Sequence, residues 1–366
     1  MIKEQITDKE GICVLVLFLT GSTLVIGTGG DAKNDAWLAG IAGILMAVPM
    51  LAVYARIISL FPGRDLFEIL EISMGQIAGK TISLIYIWYS IHLGAMILRN
   101  FGEFINTLTM PETPIIVPMF MLGLICIISV RLGVEVIGRS CTYFLPVIIL
   151  VIIAAVVLGL GNWNLDYLKP VMHHALGNVM KGAFSAFSFP FTESVLFMGF
   201  FYTLKTKRSP YRVYFFGTLF AGTIIVLLTM RNIAVLGNML GMYYFPSYIA
   251  VGRINIRDFL QRLEGSVAIV MLVGVFIKSS VCLFVASKGL TRIFKLTDYK
   301  SIVIQLGLLM ICFSYIVYSN IMEMWYWAFK VYQYYAFPME VILPVITWIF
   351  AEVKYRKMQE KSIKTQ

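Results

Sequence analysis

The sequence predicts an all-α membrane protein with ten transmembrane helices. Three observations carry that prediction. Hydrophobic residues fill 59% of the 366 positions and charged residues only 14%, against about 25% charged in soluble domains. Mean hydropathy is +0.82. The apolar residues also fall in long runs, near the roughly 20 residues that a helix needs to cross hydrocarbon at 1.5 Å per residue. Too little polar material is left to coat a soluble core, so lipid has to cover much of the surface.

On that ruler, spans are expected near 11–30, 37–61, 79–99, 113–131 and 142–161, then near 181–203, 212–236, 262–288, 301–319 and 338–353. The first run follows acidic residues and ends in no small-residue cleavage site, so it is expected to be an uncleaved span rather than a signal peptide. The fifth, from Thr142 to Gly161, carries no charge. Loops at 162–180, 237–261 and 320–337 are long enough for short interfacial helices. The last holds Trp325, Tyr326, Trp327, Tyr332, Tyr334 and Tyr335. Such a tract suits the headgroup layer; stacking against a ligand is the alternative. No long hydrophilic insert divides the chain, which predicts one membrane domain over 1–366. Its two repeats would cover about 11–161 and 181–353, followed by a tail at 354–366.

The formal net charge of +10 excludes little by itself, but its distribution does. Lysine and arginine cluster in alternate connections: Lys3 and Lys9; Arg56, Arg64 and Lys80; Arg131 and Arg139; Lys205, Lys207, Arg208 and Arg212; Lys288, Arg292, Lys295 and Lys300; and the tail from Lys354 to Lys364. The other connections keep scattered ones, Lys33, Arg99, Lys169 and Lys330, with Arg253, Arg257 and Arg262 as the exception. This is a topogenic pattern, not a nucleic-acid stripe, and it predicts both termini in the cytoplasm. The five cysteines, Cys13, Cys126, Cys141, Cys282 and Cys312, lack metal spacing and read as small apolar fillers. No nucleophile elbow, phosphate loop or zinc motif is present, so neither catalysis, a cofactor nor a metal is expected.

Two spans are unlike the rest. In the first, Gly21, Ser22 and Thr23 are followed by Gly27, Thr28, Gly29 and Gly30. In the sixth, Phe189, Pro190, Phe191 and Thr192 interrupt the run just after Ser185 and Ser188. Proline removes a donor and clashes with the preceding turn, and glycine lets a chain unwind. Either break alone is equally a kink or a close helix contact. Together they occupy the first and sixth of ten spans, matching places in two halves of five. Paired interruptions of this kind point to an inverted-repeat transporter with a site near the bilayer midplane. Half-helix N-termini there meet a carboxylate and freed carbonyls meet an ammonium, so a small zwitterion such as an amino acid is the expected guest.

The candidate ligand-binding residues are therefore Gly21, Ser22, Thr23, Gly27, Phe189, Pro190, Phe191, Thr192 and Glu193, with Tyr89 of the third span. Glu193 and Lys278 are ionisable groups inside spans, costing roughly 2.5–3.5 kcal/mol each on insertion scales. They are expected to pair with each other or to face a wet cavity, while a snorkelling Lys278 stays open. Ser279 and Ser280 follow Lys278 and keep ion coupling possible. His92, beside Tyr86, Trp88 and Tyr89, is either a proton relay or a packed histidine. His173 and His174 lie in an outer loop with no carboxylate constellation to suggest a metal site.

Several short motifs, in this order and spacing, resemble a known family. They are Asp35-Ala36-Trp37, Phe61-Pro62-Gly63, Pro111-Glu112-Thr113-Pro114 and Gly133-Val134-Glu135-Val136 in the first half. The second half gives Phe189-Pro190-Phe191-Thr192-Glu193, Phe245-Pro246-Ser247-Tyr248, Asp258-Phe259-Leu260-Gln261-Arg262-Leu263-Glu264 and Phe276-Ile277-Lys278. The chain resembles, over nearly its whole length, the B subunits of spore germinant receptors, a branch of the amino acid–polyamine–organocation transporter superfamily. The resemblance implies a LeuT-like fold of five-plus-five inverted repeats with helices one and six broken. It also implies a role in sensing a germinant such as an amino acid in the spore inner membrane, together with A and C subunits. The family usually carries glycine where this chain has Thr192; the added hydroxyl and β-branch should narrow the pocket or add a polar contact. The alternative function is a proton- or sodium-coupled amino acid or polyamine symporter.

Overall fold

The structure, a computed structural model, describes residues 4–172, 176–204, 206–254 and 263–364. Lys3, His173, His174, Lys205, Arg257, Arg262 and the Asp258–Gln261 part of one motif lie outside the described residues.

Helix α1 (Asp8–Thr20) opens on a capping box: Thr7 Oγ1 accepts from the Glu10 amide at 3.2 Å, and the Glu10 carboxylate accepts from the Thr7 amide at 2.7 Å. Two amides that the first turn leaves open are satisfied this way. The helix stops at Gly21-Ser22 and resumes as one turn, α2 (Thr23–Ile26). Gly27 then turns the chain at φ 87°, a conformation that disfavours any side chain. A 3₁₀ segment over Gly30–Asp35 leads into α3 (Ala36–Leu60).

Next come α4 (Leu66–Met74), capped by Asp65, α5 (Gln76–Leu108), α6 (Ile116–Leu132) and α7 (Val134–Gly159). Helix α4 is short, lies where sequence suggested only a loop, and buries Leu66, Phe67, Ile69 and Leu70. The sixth predicted span begins as α8 (Leu176–Ala186) and breaks at Phe189, whose φ of −115° and ψ of 110° are extended. It continues as tight turns over Thr192–Gly199. After it stand α9 (Ser209–Leu236), α10 (Pro246–Gly252), α11 (Gly265–Phe294) and α12 (Val303–Ile316).

The last segment departs from expectation. Residues 320–337 are not a loop: the chain is helical from Ile321 to Lys364, as α13 (Ile321–Tyr326), α14 (Tyr332–Phe337) and α15 (Leu343–Lys364) joined by wide turns at Trp327–Val331 and Pro338–Ile342. Pro338 is tolerated because it sits at the start of such a turn. The interfacial-anchor view therefore fails for Tyr332, which is buried, while Tyr326 and Tyr334 stay exposed.

Seven described segments are long and apolar enough to cross a membrane by length and composition: Asp8–Ile26, Gly30–Leu60, Gln76–Leu108, Val134–Asn162, Ser209–Met242, Gly265–Phe294 and Ile321–Glu360. Helices α6 and α12 are shorter apolar helices, and the broken segment from α8 onwards lies between. Burial sorts them. In the most apolar stretch, 83% of residues are buried for the first segment and for α11, but only 17% for α7. The first segment and α11 thus form the interior, whereas α7 turns its Ile and Val side chains outward, as a lipid-facing helix should.

Segments grouped by the charge count also meet one another. Gln5 N–H donates to Glu135 at 3.0 Å, Tyr299 OH to Glu4 at 3.0 Å, and Ile6 N–H to the Thr203 carbonyl at 3.3 Å. One residue was misplaced by that count: Arg99, taken as an outer-loop charge, is buried in α5 and paired with Glu103 at 2.9 Å.

Candidate functional site

The two breaks lie side by side. Thr28 Oγ1, just past the first break, donates to the Phe189 carbonyl of the second at 3.0 Å. The extended Phe189 has left that carbonyl outside any regular helical ladder, and a buried carbonyl needs a partner. Gly21 has a separate reason for its identity. A Cβ there would stand 2.8 Å from the Cα of Gly274 in α11, so the broken helix and α11 touch backbone to backbone. The contact explanation and the unwinding explanation hold together at this position.

Behind the break, Lys278 Nζ and Glu193 Oε2 form an ion pair with both side chains sealed from solvent. The Lys278 ammonium also lies over the rings of Phe18 at 5.1 Å and Phe189 at 4.9 Å. It does not snorkel; its charge is shared between one carboxylate and two ring faces. Tyr332 stands close enough to Glu193 to interact with it, and its hydroxyl meets Tyr89 OH at 2.9 Å.

Tyr89 leads to a second carboxylate that sequence reasoning missed. Tyr89 OH donates to Glu340 Oε1 at 2.9 Å, Ser188 Oγ donates to Glu340 Oε2 at 2.8 Å, and Thr192 Oγ1 reaches the same oxygen at 2.8 Å. Thr192 Oγ1 is also 2.9 Å from the Phe187 carbonyl, so its one proton is shared between two acceptors. Glu340 is fully buried. Its own carbonyl takes the Tyr54 hydroxyl, and the Met339 carbonyl takes Tyr86 OH at 3.1 Å. These two tyrosines fill acceptors at the wide turn over Pro338–Ile342. The extra hydroxyl of Thr192 is thus a polar contact, made to a residue on the last helical segment.

The remaining candidates divide. Thr23 Oγ1 folds back onto the Leu19 carbonyl at 2.8 Å, which spends it on its own helix. Phe191 and Pro190 are buried. The hydroxyls of Ser22 and Ser279 are buried with no partner among the described residues, and Ser280 lies against the Cys126 thiol. Gly27 is separated from this centre: with Thr28, Asp31, Asn232, Trp325, Phe329 and Lys330 it lines a vestibule of about 640 Å³. Lys330 and Asp31 are ion-paired beside it. His92 packs in an aromatic box, stacked on Trp88 at 5.5 Å and edge-on to Tyr335 at 5.1 Å, with Nδ1 unpartnered and no carboxylate in contact among the described residues.

Paired helix breaks around a buried polar centre define a membrane protein with the LeuT-type transporter fold. Solved structures agree on that fold. Mhp1, a nucleobase-cation-symport-1 family transporter in a closed conformation with bromovinylhydantoin bound, superposes with a TM-score of 0.64 at 12% identity, over 99% of this chain and 93% of that one. A manganese transporter of Eremococcus coleocola gives 0.58 at 13% identity, over 95% and 85%.

Sequence relatives are more specific. The family profile described as spore germination protein matches residues 5–322, and the chain belongs to that family. Spore germination protein KB of Bacillus subtilis (strain 168) is 27% identical over 99% of this chain and 98% of its own length. Spore germination protein XB of Bacillus anthracis is 25% identical over 74% and 78%.

Proposed function

We propose that the chain is the membrane subunit of a spore germinant receptor, and that it binds a small germinant, an amino acid being the fitting class, between its two helix breaks. The observation that carries this is the Thr28–Phe189 hydrogen bond, which joins the breaks as a closed seam between the vestibule and the polar centre. Binding would favour one arrangement of that seam over another, and a ligand shifts an equilibrium only by its differential affinity for the two states. The shift would pass to A and C subunits in the spore inner membrane. Ten crossings, two repeats at about 11–161 and 181–353 within one domain, and both termini on the cytoplasmic (core) side complete the proposal. The alternation of basic segments supports the orientation.

In this arrangement Phe189 and Phe191 form a wall, Ser22 offers a free hydroxyl, and Glu193 braces the centre through Lys278. Thr192→Gly removes one hydrogen bond to Glu340 and opens the wall. In spores carrying this receptor alone, it should change which amino acids trigger germination while receptor level stays normal. An unaltered germinant profile would sink the assignment of this pocket.

A second function has one observation in its favour. The unpartnered hydroxyls of Ser22 and Ser279 come from the first broken helix and α11, which suits a cation-coupled amino acid or polyamine symporter. Robust counterflow of labelled amino acids by the purified chain in proteoliposomes, without A and C subunits, favours that function over a receptor.

A further inference from the structure

The buried centre holds three ionisable side chains, Lys278, Glu193 and Glu340, and only two of them are paired with each other. Lys278 is committed to Glu193. Glu340 has three hydroxyl groups around it and no ion pair with any described cation. Hydroxyls supply hydrogen bonds but no counter-charge, and an ionisable side chain at membrane depth normally faces a partner or a wet cavity. The site is also built where the helices are irregular. Ser188 and Thr192 flank the extended Phe189, on either side of the break in the sixth segment. Tyr89 comes from α5, and Glu340 from the wide turn of the last segment.

We propose that Glu340, on the last helical segment, is the carboxylate that receives the primary ammonium group of the ligand; this rests on the germinant-binding function proposed above. An ammonium brings three donors and no acceptor. The centre offers it a carboxylate oxygen of Glu340 and the carbonyl of Phe187, both now occupied by the single proton of Thr192. The Ser188 and Thr192 hydroxyls act as placeholders: each yields its acceptor to the ammonium, a cost of about 1–3 kcal/mol for a buried hydroxyl that the stronger ammonium–carboxylate contact offsets. Glu193 cannot serve in the same way, because an arriving ammonium would compete with Lys278 for it. A hydroxyl meets the carboxylate with a dipole, whereas an ammonium brings a full opposite charge as well as its N–H donors, so the exchange favours the ligand. Access runs from the vestibule. Phe329 lines it, and Glu340 lies about 16 Å further along the same helical segment at 1.5 Å per residue. The Thr28–Phe189 seam must open to let the ligand past. The required class is a small molecule with a primary amine, and an α-hydroxy acid of the same shape should be a poor substitute.

The test uses spores whose sole germinant receptor contains this chain with its partner subunits. Each of the twenty standard amino acids is assayed singly. For each active one, the α-hydroxy acid counterpart (L-lactate for L-alanine, for example) is assayed as agonist and as competitor. Glu340→Gln keeps the size and hydrogen-bonding capacity of the side chain. It should raise the half-maximal concentration of the active amino acid about tenfold or more, equivalent to about 1.4 kcal/mol, at unchanged receptor level by immunoblot. Recognition of the hydroxy acid should stay as it was, so the preference for the amine collapses, and Glu340→Asp should recover part of it. Equal weakening of amine and hydroxy acid, or an amino acid response within twofold of wild type, overturns the role of Glu340 and leaves germinant binding standing. Wild-type spores that answer to no amino acid overturn both.

Discussion

Lys278 of α11 and Glu193 of the broken sixth segment meet as an ion pair from which solvent is excluded, with the ammonium laid over Phe18 and Phe189. The pair therefore joins three elements: the first broken helix, the second, and the continuous helix packed against both. Its stability follows from the asymmetry between removing one charge and removing two.

Replacing one partner, by Glu193→Gln or Lys278→Met, strands a charge in a dry interior and should cost about 3–5 kcal/mol. The double variant removes both charges and should recover most of that loss. Thermal unfolding of the full chain in lipid nanodiscs measures it. A double variant no more stable than either single one contradicts a structural pair.

Gly21 and Gly274 give a second prediction. A methyl group at Gly21 lies 2.8 Å from Gly274 Cα, and one at Gly274 lies 2.1 Å from Gly21 Cα. Backbone cannot step aside as a flexible side chain does, so Gly21→Ala and Gly274→Ala should each separate the helices and deplete folded protein in the membrane. Gly30→Ala, with nothing within 4 Å and no positive φ, should be neutral. Fluorescence-detected size-exclusion profiles of the three variants, compared at equal expression, check this.

The pair beside the vestibule should behave differently. Lys330 and Asp31 are both partly exposed, and exposed pairs contribute only about 0–1 kcal/mol. Lys330→Gln should leave the unfolding temperature within a few degrees. Its effect should fall instead on the rate of germination, because the pair links the last segment to the loop after the first break. Germination kinetics that match wild type at every germinant concentration would exclude a gating role.

The fold was readable because its irregularities are chemical. Glycines at 21 and 27 and a proline at 190 mark the breaks in plain residues, and both breaks are where the spacing put them. Glu193 and Lys278 were readable as charges inside apolar runs. Glu340 was not, and the reason is physical. The aromatic tract before it looks like a headgroup-level loop, and Pro338 looks like a helix start, so Glu340 reads as an ordinary acid in a first turn. The helix in fact begins at Ile321, which puts Glu340 about 28 Å along it. Wide turns absorb the proline, and Tyr54 and Tyr86 satisfy the carbonyls there. Partners from α3 and α5 decide that geometry, and no local pattern announces them. The helical spacing of Tyr332, Tyr335, Ala336, Met339 and Glu340, at i, i+3, i+4, i+7 and i+8 on one helix face, was the signal available.

The position of the bound ligand decides whether Glu340 and the seam do what is proposed for them. A cryo-electron microscopy structure of the assembled receptor, determined with an amino acid that triggers its spores, settles that. Ligand density is expected between Phe189 and Glu340, inside the Thr28–Phe189 seam, with the amine within hydrogen-bonding distance of the Glu340 carboxylate. Density confined to the vestibule beside Asp31 and Lys330, or on a partner subunit with this centre still closed, would contradict it.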